Sequence, residues 1–339
     1  MGKKYYVVDA LEPAKFDRAY FKDQLEGGVG VVHASIGIWE DARMTLDLIT
    51  QWYRLEAKNS DLIRIIYTSD DLDIVRKEGK LGIILGIQHS SAIGEDLSNV
   101  QAFARLGIKC MQLTYNNQNY IGCGGYEEFD HGISRFGKKV IQEMNRWGVL
   151  IDLSHCGRQT TLEAIELSER PVAITHSNAD WLYPTNTYLT KRIKSKEVMA
   201  SLRDHGGMFG LTLWPTLIGG SHTTLDEFCG LVADTADFMG IDRIGFGTDL
   251  IHNRDDEYMS YVREGRWTHD VDYGTIQPGM KSRPDWPEWF QGPKNFPNIS
   301  EGLLKKGFSD EEVAGIMGEN WFRFMKDAFK TNETLLSVR

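Results

Sequence analysis

The sequence predicts a (β/α)8 barrel, and three observations support this fold class. About eight short apolar runs alternate with amphipathic stretches along the 339 residues, which implies parallel strands joined by right-handed helical crossovers. The length exceeds the ~250 residues that such a barrel typically needs. No GxGxxG string follows the first apolar run, Tyr5–Ala10. The sequence therefore lacks the main signal of the alternative fold, an open sheet that binds a dinucleotide. We therefore expect a single barrel domain over residues 1–339.

The strands are predicted where apolar runs end at polar or turn residues. The eight clear ones are Tyr5–Ala10, Val29–Ala34, Leu81–Ile87, Ile108–Leu113, Val149–Leu153, Val172–Thr175, Gly207–Leu213 and Arg243–Thr248, and Leu62–Tyr67 is a weaker, ninth candidate. Helices are predicted at Phe16–Leu25, Ala42–Lys58, Ser69–Lys77, Asp96–Arg105, Phe136–Trp147, Ser195–His205 and Thr224–Met239. Polar or Gly-rich loops are predicted at Asn116–Gly132 and Tyr183–Lys191.

A long insertion, at about 252–297, follows the last predicted strand. It is rich in Trp, Pro and charge and has no clear periodicity. Insertions of this length are usually functional. We therefore expect this one to form a lid or to contact a partner, which could be the second subunit of a homodimer. A C-terminal helix over 309–329 opens with Ser-Asp-Glu-Glu, which is a good N-cap with an acidic first turn.

The composition excludes several classes of function. The net charge of -10 and the pI of about 5.4 argue against nucleic acid or an anionic membrane as the main partner. No window approaches the ~18 apolar residues of a membrane span. The four cysteines form no CxxC pair and no disulfide framework. We expect a cytoplasmic enzyme that acts on a small-molecule substrate.

Two histidines end neighbouring predicted strands. His155 follows Val149–Leu153 and His176 follows Val172–Thr175. Because the carboxyl ends of parallel strands share one rim, the two imidazoles should meet about one strand spacing apart, ~5 Å. Two neutral imidazoles form half of a site for a zinc-like ion. The alternative is that each histidine only caps its own strand through hydrogen bonds.

Four longer strings connect the chain to a known family. They are FGKKVIQEMNRWGVLIDLSHCG (Phe136–Gly157), PVAITHSNA (Pro171–Ala179), IGFGTD (Ile244–Asp249) and GENWFRF (Gly318–Phe324). Over nearly its whole length the chain resembles the renal (membrane) dipeptidase family of the amidohydrolase superfamily. The resemblance implies a barrel of the metal-dependent hydrolase type. It also implies two zinc ions at the strand ends which, with a bridging hydroxide, hydrolyse the amide of a dipeptide.

The resemblance assigns roles to four residues. His155 and His176 correspond to the two histidine ligands of one metal ion. Asp249 corresponds to the aspartate that handles the proton of the bridging water. Arg192 falls where the family binds the substrate carboxylate, although the residues around it, Arg-Ile-Lys-Ser-Lys, differ from the family pattern.

The remaining positions depart from the family. Its first-strand D-G-H-x-D ligand motif reads Asp-Ala-Leu-Glu-Pro here, with Leu11 and Pro13 at the ligand positions. Gln88 stands where the family has its bridging glutamate, and Tyr115 stands where it has a catalytic histidine. Two metal ions ~3.5–4 Å apart need a bridging carboxylate to offset their repulsion. We therefore expect a reduced metal site with one divalent ion, Zn²⁺, or a site with none.

A single catalytic ion needs three protein ligands and an open position. Asp249 is the candidate for the third ligand, but as a ligand it cannot also serve as a free base. Further candidates are His89, His33 and Glu12, if their strands direct them inward.

Three polar residues complete the predicted site. Tyr115 is a candidate for proton transfer or for stabilising an oxyanion. Asn116 and Gln88 are candidates for substrate binding at the barrel mouth. The alternative is that Gln88 and Tyr115 only preserve the shape of a site that has lost its metal.

The leading functional hypothesis is a dipeptidase-like, metal-dependent hydrolase that cleaves an amide (C–N) bond of a small carboxylate-bearing substrate. The replaced ligands make classical dipeptidase activity doubtful. Two alternatives stay open at this point. One is another chemistry on the same barrel, such as that of a lyase, a decarboxylase, or an ester or lactam hydrolase. The other is a non-catalytic protein that binds a small metabolite.

Overall fold

Eight parallel strands close into a barrel, and a ninth short strand lies against one of them. The computed structural model of the chain describes residues 5–182, 191–265 and 283–331. The strands are β1 (Val7–Glu12), β2 (Val29–Gly37), β3 (Ile63–Ile65), β4 (Leu81–Ile87), β5 (Ile108–Gln112), β6 (Leu150–Asp152), β7 (Ala173–Ser177), β8 (Met208–Leu211) and β9 (Ile244–Phe246). The ring closes because β1 pairs with both β2 and β9, and β2 pairs in turn with β4. This architecture confirms the predicted (β/α)8 barrel.

Strand β3 is the extra one. It pairs with Leu81–Ile83 at the beginning of β4, whereas β5 pairs with the later residues Leu85–Ile87. Because β2 occupies the other edge of β4, β3 lies at the amino end of the barrel. It is therefore far from the mouth, where the strands end and where active sites of such barrels lie.

Helices follow the strands and form the outer layer. The helices up to the last barrel strand are α1 (Arg18–Gly27), α2 (Ala42–Lys58), α3 (Ser69–Glu78), α4 (Ser98–Arg105), α5 (Arg135–Trp147), α6 (Arg158–Leu167), α7 (Lys196–Asp204) and α8 (Leu225–Met239). Side-chain caps fix several of their starts, as where Thr224 and Glu227 form a capping box at α8. No helix in the three described ranges is long and apolar enough to cross a membrane.

The insertion after β9 contains a helix that the sequence did not predict. Helix α9 (Asp256–Glu264) begins at Asp255, whose side chain accepts a hydrogen bond from the Tyr258 amide. The later part of the insertion leads into α10 (Phe296–Lys305). The lack of clear periodicity in the sequence of this segment had given no sign of these helices. Residues 266–282 of the insertion and 183–190 of the predicted loop lie outside the described residues.

The C-terminal helix is interrupted by a wider turn. It consists of α11 (Asp310–Ala314), a π-helical stretch over Gly315–Glu319 and α12 (Asn320–Ala328). The Asn320 amide donates to the carbonyls of Ile241 and Ile244, at 2.8 and 2.9 Å. These bonds tie the start of α12 to the amino end of β9, so the helix closes the bottom of the barrel, opposite the mouth.

Candidate active site

The two predicted histidines meet at the barrel mouth. His155 follows β6, and His176 lies within β7. Their Nε2 atoms are 3.1 Å apart, and their ring centroids are 5.1 Å apart. Both side chains are buried. The structure thus brings together the pair of imidazoles that matched strand ends predict.

The other ring nitrogen of each histidine has a partner of its own. The Nδ1 atom of His155 is 2.7 Å from the Asn116 side-chain oxygen. The Nδ1 atom of His176 is 2.8 Å from the Thr175 hydroxyl. Burial lowers the pKa of both imidazoles well below the usual value, and the nearby charge of Arg192 lowers it further. Both rings are therefore neutral at physiological pH, which is the form that binds metal ions.

Tyr115 lies directly against this pair. Its ring stacks on His155 with centroids 3.9 Å apart and an angle of 22° between the planes. Trp39 packs edge-on against Tyr115 at 5.3 Å. Burial, followed by the charge of Asp249, raises the pKa of Tyr115 well above the usual value. Tyr115 is therefore a neutral phenol beside His155, able to donate a hydrogen bond.

His89 supports the backbone of Tyr115. Its Nδ1 atom accepts a hydrogen bond from the Tyr115 amide at 2.7 Å, so the lone pair on that nitrogen is already used. Burial lowers the pKa of His89 to about 3, and the ring stays neutral in this role. The sequence suggested His89 as a metal ligand, but it cannot indicate which ring nitrogen faces which neighbour.

Asp249 occupies a strained position after β9. Its φ of 62° is in the left-handed region, where residues other than glycine are uncommon. Its amide donates to the Leu11 carbonyl at 3.0 Å, which ties it to β1. Burial raises the pKa of its carboxyl to about 6, although the Arg192 charge acts in the opposite direction. Strained backbone and a perturbed carboxyl together are typical of functional sites.

Arg192 is buried behind the two histidines. Its guanidinium donates to the carbonyls of Ser154 and His176, at 3.1 and 2.8 Å. It thereby joins the segments that carry His155 and His176. Its positive charge also acts on Asp249, so the mouth is suited to an anionic group.

Gln88 and His33 make other contacts. The Gln88 amide donates to the Ser35 hydroxyl at 2.9 Å. The Nδ1 atom of His33 lies 2.6 Å from the Ala10 carbonyl, so this nitrogen carries the proton. Gly86 leaves room for the rest of the ring, because a Cβ there would lie 2.0 Å from the His33 Nε2 atom.

Glu12 faces the first helix. Its carboxylate accepts hydrogen bonds from the Tyr20 hydroxyl at 2.8 Å and from the Gln24 amide at 2.7 Å. Burial raises its pKa well above the usual value, and the neighbouring Asp9 adds to this. In the part of the chain that the structure describes, no three His, Cys, Asp or Glu side chains form a group that could hold a metal ion.

The donor set fits one ion at most. Two ligands bound to one tetrahedral Zn²⁺ at ~2.0–2.1 Å lie about 3.3 Å apart, close to the 3.1 Å between the two Nε2 atoms of His155 and His176. Leu11 and Pro13 offer no ligand atoms, and Gln88 donates its amide to Ser35. The two imidazoles are therefore spaced as two of the three protein ligands that a single divalent ion needs, and Gln88 supplies no carboxylate to bridge a second ion.

Helix α9 extends the site beyond the residues that the sequence indicated. Trp39 donates its indole N–H to the Val262 carbonyl at 3.1 Å, and the Tyr261 hydroxyl donates to Glu40 at 2.8 Å. Val262 packs against Trp39 and Tyr115 in one apolar cluster. The acidic first turn after Asp255 was the available sequence signal for this helix.

The class to which the fold and the site belong follows from the comparison with known families. The profile of the membrane dipeptidase family (Peptidase family M19) matches residues 14–254. The chain belongs to this family, which confirms the resemblance inferred from its sequence strings.

Particular relatives share the whole barrel. The structure of an amidohydrolase from Pseudomonas aeruginosa is 32% identical and superposes with a TM-score of 0.87 over 96% of this chain and 97% of that one. A metallo peptidase from Rhodobacter sphaeroides, solved with a phosphinate mimic of the dipeptide L-Ala-D-Ala, is 16% identical. It has a TM-score of 0.77 over 97% of this chain and 100% of that one, a likeness of fold.

Among curated relatives, the dipeptidase tcpJ of Claviceps purpurea is 25% identical over 301 residues, 88% of this chain and 61% of that protein. A dipeptidase, verJ, of Clonostachys rogersoniana is 24% identical over 85% of this chain and 66% of its own length. The chain thus spans about three fifths to two thirds of the length of the curated relatives it matches.

Proposed function

We propose that the protein is a dipeptidase-like, metal-dependent hydrolase with a reduced metal site. It cleaves an amide (C–N) bond of a small carboxylate-bearing substrate and uses one Zn²⁺ ion held by His155 and His176. The observation that carries the proposal is the pair of buried, neutral imidazoles with facing Nε2 atoms 3.1 Å apart. Membership of the membrane dipeptidase family supports the reaction class.

Each residue of the mouth has a role in this proposal. When bound, the ion supplies Lewis-acid chemistry at the scissile carbonyl. Arg192 attracts the substrate carboxylate, and its charge already acts on the same space. Asn116 and Gln88 orient the substrate. Asp249 holds and returns the proton of the attacking water.

Tyr115 serves as a neutral donor. Its hydroxyl stabilises negative charge on the carbonyl oxygen as the bond breaks. The raised pKa keeps it protonated over the working range of pH. Stacking on His155 at 3.9 Å holds the ring in place, so little reorganisation is needed during the reaction.

Metal content and turnover test the proposal together. Protein purified without chelators should contain about one zinc per chain by elemental analysis. It should hydrolyse members of a library of dipeptides and N-acyl amino acids. Chelation should abolish turnover, and Zn²⁺ should restore it. His176→Ala should lose both the metal and the activity.

His205→Ala is the matched control, because His205 lies at the end of α7, where its ring contacts the Arg170 carbonyl. This variant should retain metal and turnover. Protein without metal that turns substrate over despite chelators would overturn the metal assignment. Absence of turnover across the library, with ligand binding that survives loss of both histidines, would favour a binding protein instead.

A further inference from the structure

A buried carboxylate lies beneath the histidine pair. Asp152, at the end of β6, is fully buried and accepts four hydrogen bonds. Its Oδ1 atom accepts from the Ser154 amide at 3.0 Å, from the Ser154 hydroxyl at 2.5 Å and from the Thr175 amide at 3.0 Å. Its Oδ2 atom accepts from the Thr175 hydroxyl at 2.7 Å. Burying a charge is costly, and these four donors offset that cost.

The two hydroxyls connect this carboxylate to His176. A hydroxyl has one hydrogen, and both Ser154 and Thr175 give theirs to Asp152. Each hydroxyl oxygen is then left as an acceptor. Ser154 accepts from the His176 backbone amide at 3.1 Å, and Thr175 lies 2.8 Å from the His176 Nδ1 atom. Asp152 therefore determines the direction of both hydroxyl hydrogens, so the 3.2 Å contact between the Ser154 and Thr175 hydroxyl oxygens contains no hydrogen of its own.

We propose that Asp152, acting through the Thr175 hydroxyl, is a positioning residue that fixes His176 as its Nδ1–H tautomer. The Nε2 lone pair of His176 then faces the Nε2 atom of His155. Asp152 does not fix the tautomer through a direct hydrogen bond, because its Oδ2 atom lies 3.9 Å from the His176 Nδ1 atom. The hydroxyl of Thr175 is thus the necessary link.

His155 has the same tautomer for an independent reason. The side-chain oxygen of Asn116 accepts from its Nδ1 atom, which leaves the Nε2 atom as a lone pair. Two lone pairs then face each other across 3.1 Å. Facing lone pairs repel each other, and a cation between them removes this repulsion, so the tautomer fixed by Asp152 prepares the pair for a metal ion. The consequence for metal binding rests on the proposed function, whereas the tautomer does not.

Asp152→Asn gives the sharpest test. The amide oxygen should take the Oδ1 position, which receives three donors, and the NH₂ group should take the Oδ2 position. Thr175 then accepts from Asn and donates to the His176 Nδ1 atom. His176 should become the Nε2–H tautomer and form an N–H···N bond to His155. The variant converts a metal site into a hydrogen-bonded pair without a change in side-chain volume.

The tautomer is read directly by ¹⁵N NMR of histidine-labelled, metal-free protein at pH 8. Wild-type His176 should show the Nδ1–H pattern, and Asp152→Asn should show the Nε2–H pattern. Thr175→Val should lose the preference of His176 for the Nδ1–H tautomer, whereas Thr175→Ser, which keeps the hydroxyl, should retain it. Zn²⁺ affinity should fall about 10–100-fold in Asp152→Asn and Thr175→Val. Thr175→Ser should stay within about threefold of wild type.

Thr161→Val is the matched control. Its hydroxyl is also buried but donates to the carbonyl of Gly157, the residue that caps the start of α6, at 2.6 Å. This variant should change neither the tautomer nor the affinity for Zn²⁺. An unchanged His176 tautomer in both Asp152→Asn and Thr175→Val would overturn the inference, even if the wild type binds zinc. A wild type with the Nδ1–H tautomer that binds no zinc would instead refute the proposed function.

Discussion

At the residue scale, Asp249 combines two unfavourable features. Its backbone is left-handed, with φ at 62°, and burial raises the pKa of its carboxyl to about 6. A raised carboxyl pKa means that the folded state prefers the protonated form. The contribution of Asp249 to the free energy of unfolding is therefore fully present below ~4, the pKa of its carboxyl in the unfolded chain. It is lost as the pH rises through about 6, the pKa in the folded protein. Above that pH, the ionised carboxylate destabilises the fold.

Asp249→Asn should separate stability from activity. Asparagine tolerates the left-handed conformation and carries no charge, so the variant should gain stability relative to wild type as the pH rises from 4 to 8. Turnover should be lost, because the variant lacks the carboxylate that we propose accepts the proton of the attacking water. Urea unfolding at pH 5 and pH 8 checks the first effect. For the wild type, kcat/KM should fall below about pH 6.

Asp234→Asn is the comparison variant, because this carboxylate is exposed on α8. It should alter neither the pH dependence of stability nor turnover. Equal stability of Asp249→Asn and wild type at pH 8 would contradict the argument.

Residues of the site differed in how far the sequence could predict them. His155 follows β6 and His176 lies near the end of the adjacent strand β7, so the parallel sheet alone brings them together. The roles of His89 and Thr175 depend on which atom faces which neighbour. That information comes from strand register and side-chain rotamers, which periodicity does not determine. The polar residues in Asp-Leu-Ser-His and Thr-His were the available signal, because polar side chains at buried strand ends need partners.

At the scale of elements, α9 is attached to the barrel by polar contacts at its inner face. The Tyr261 hydroxyl donates to the Glu40 carboxylate at 2.8 Å, and Trp39 donates to the Val262 carbonyl. A hydrogen bond to a charged group contributes about 1.5–3 kcal/mol. These contacts hold α9 beside Tyr115 at the mouth.

Tyr261→Phe should loosen α9 alone. Hydrogen exchange of amides in Asp256–Glu264 should accelerate about tenfold or more, since 1.4 kcal/mol corresponds to a factor of ten. Exchange in the barrel strands should stay unchanged, and KM should rise because the mouth is less well covered. Tyr53→Phe is the control, since its hydroxyl donates to the Leu106 carbonyl away from α9. Unaltered exchange in α9 would show that the Tyr261–Glu40 bond does not hold the helix.

The elements also show why the strands were predicted better than the insertion. Apolar runs such as Leu81–Ile87 are buried on both faces, and such runs are a strong signal. Helix α9 has nine residues within a segment rich in Trp, Pro and charge, so its short periodicity was obscured. Strand β3 has only three residues, and nothing in its composition marks it as lying outside the ring.

At the scale of the whole molecule, Trp321 of α12 fills the bottom of the barrel. A Cβ on Gly245 would lie 2.4 Å from the Trp321 ring, and one on Gly210 would lie 3.1 Å from it. The glycines of β8 and β9 therefore provide the space for the indole. Among the described residues, its Nε1 atom has no hydrogen-bond acceptor.

Trp321→Ala should lower the free energy of unfolding by about 3–5 kcal/mol, because it leaves a large cavity. Trp321→Phe should cost less, since it keeps an aromatic ring and removes an unpaired buried N–H group, whose desolvation costs about 1–3 kcal/mol. Denaturant unfolding measures both. Zinc stoichiometry of the folded protein should be the same in both variants. A Phe variant as unstable as the Ala variant would contradict this account.

The order of strands around the ring separates two sets of positions at the mouth. His155 and His176 come from β6 and β7, which are adjacent, whereas Leu11 and Gln88 lie on β1 and after β4, on either side of β2. The two sets are joined through the end of β5. His89, next to Gln88, accepts from the Tyr115 amide, and the Tyr115 ring stacks on His155. A substitution near Gln88 can therefore reach the histidine pair through the position of this one ring.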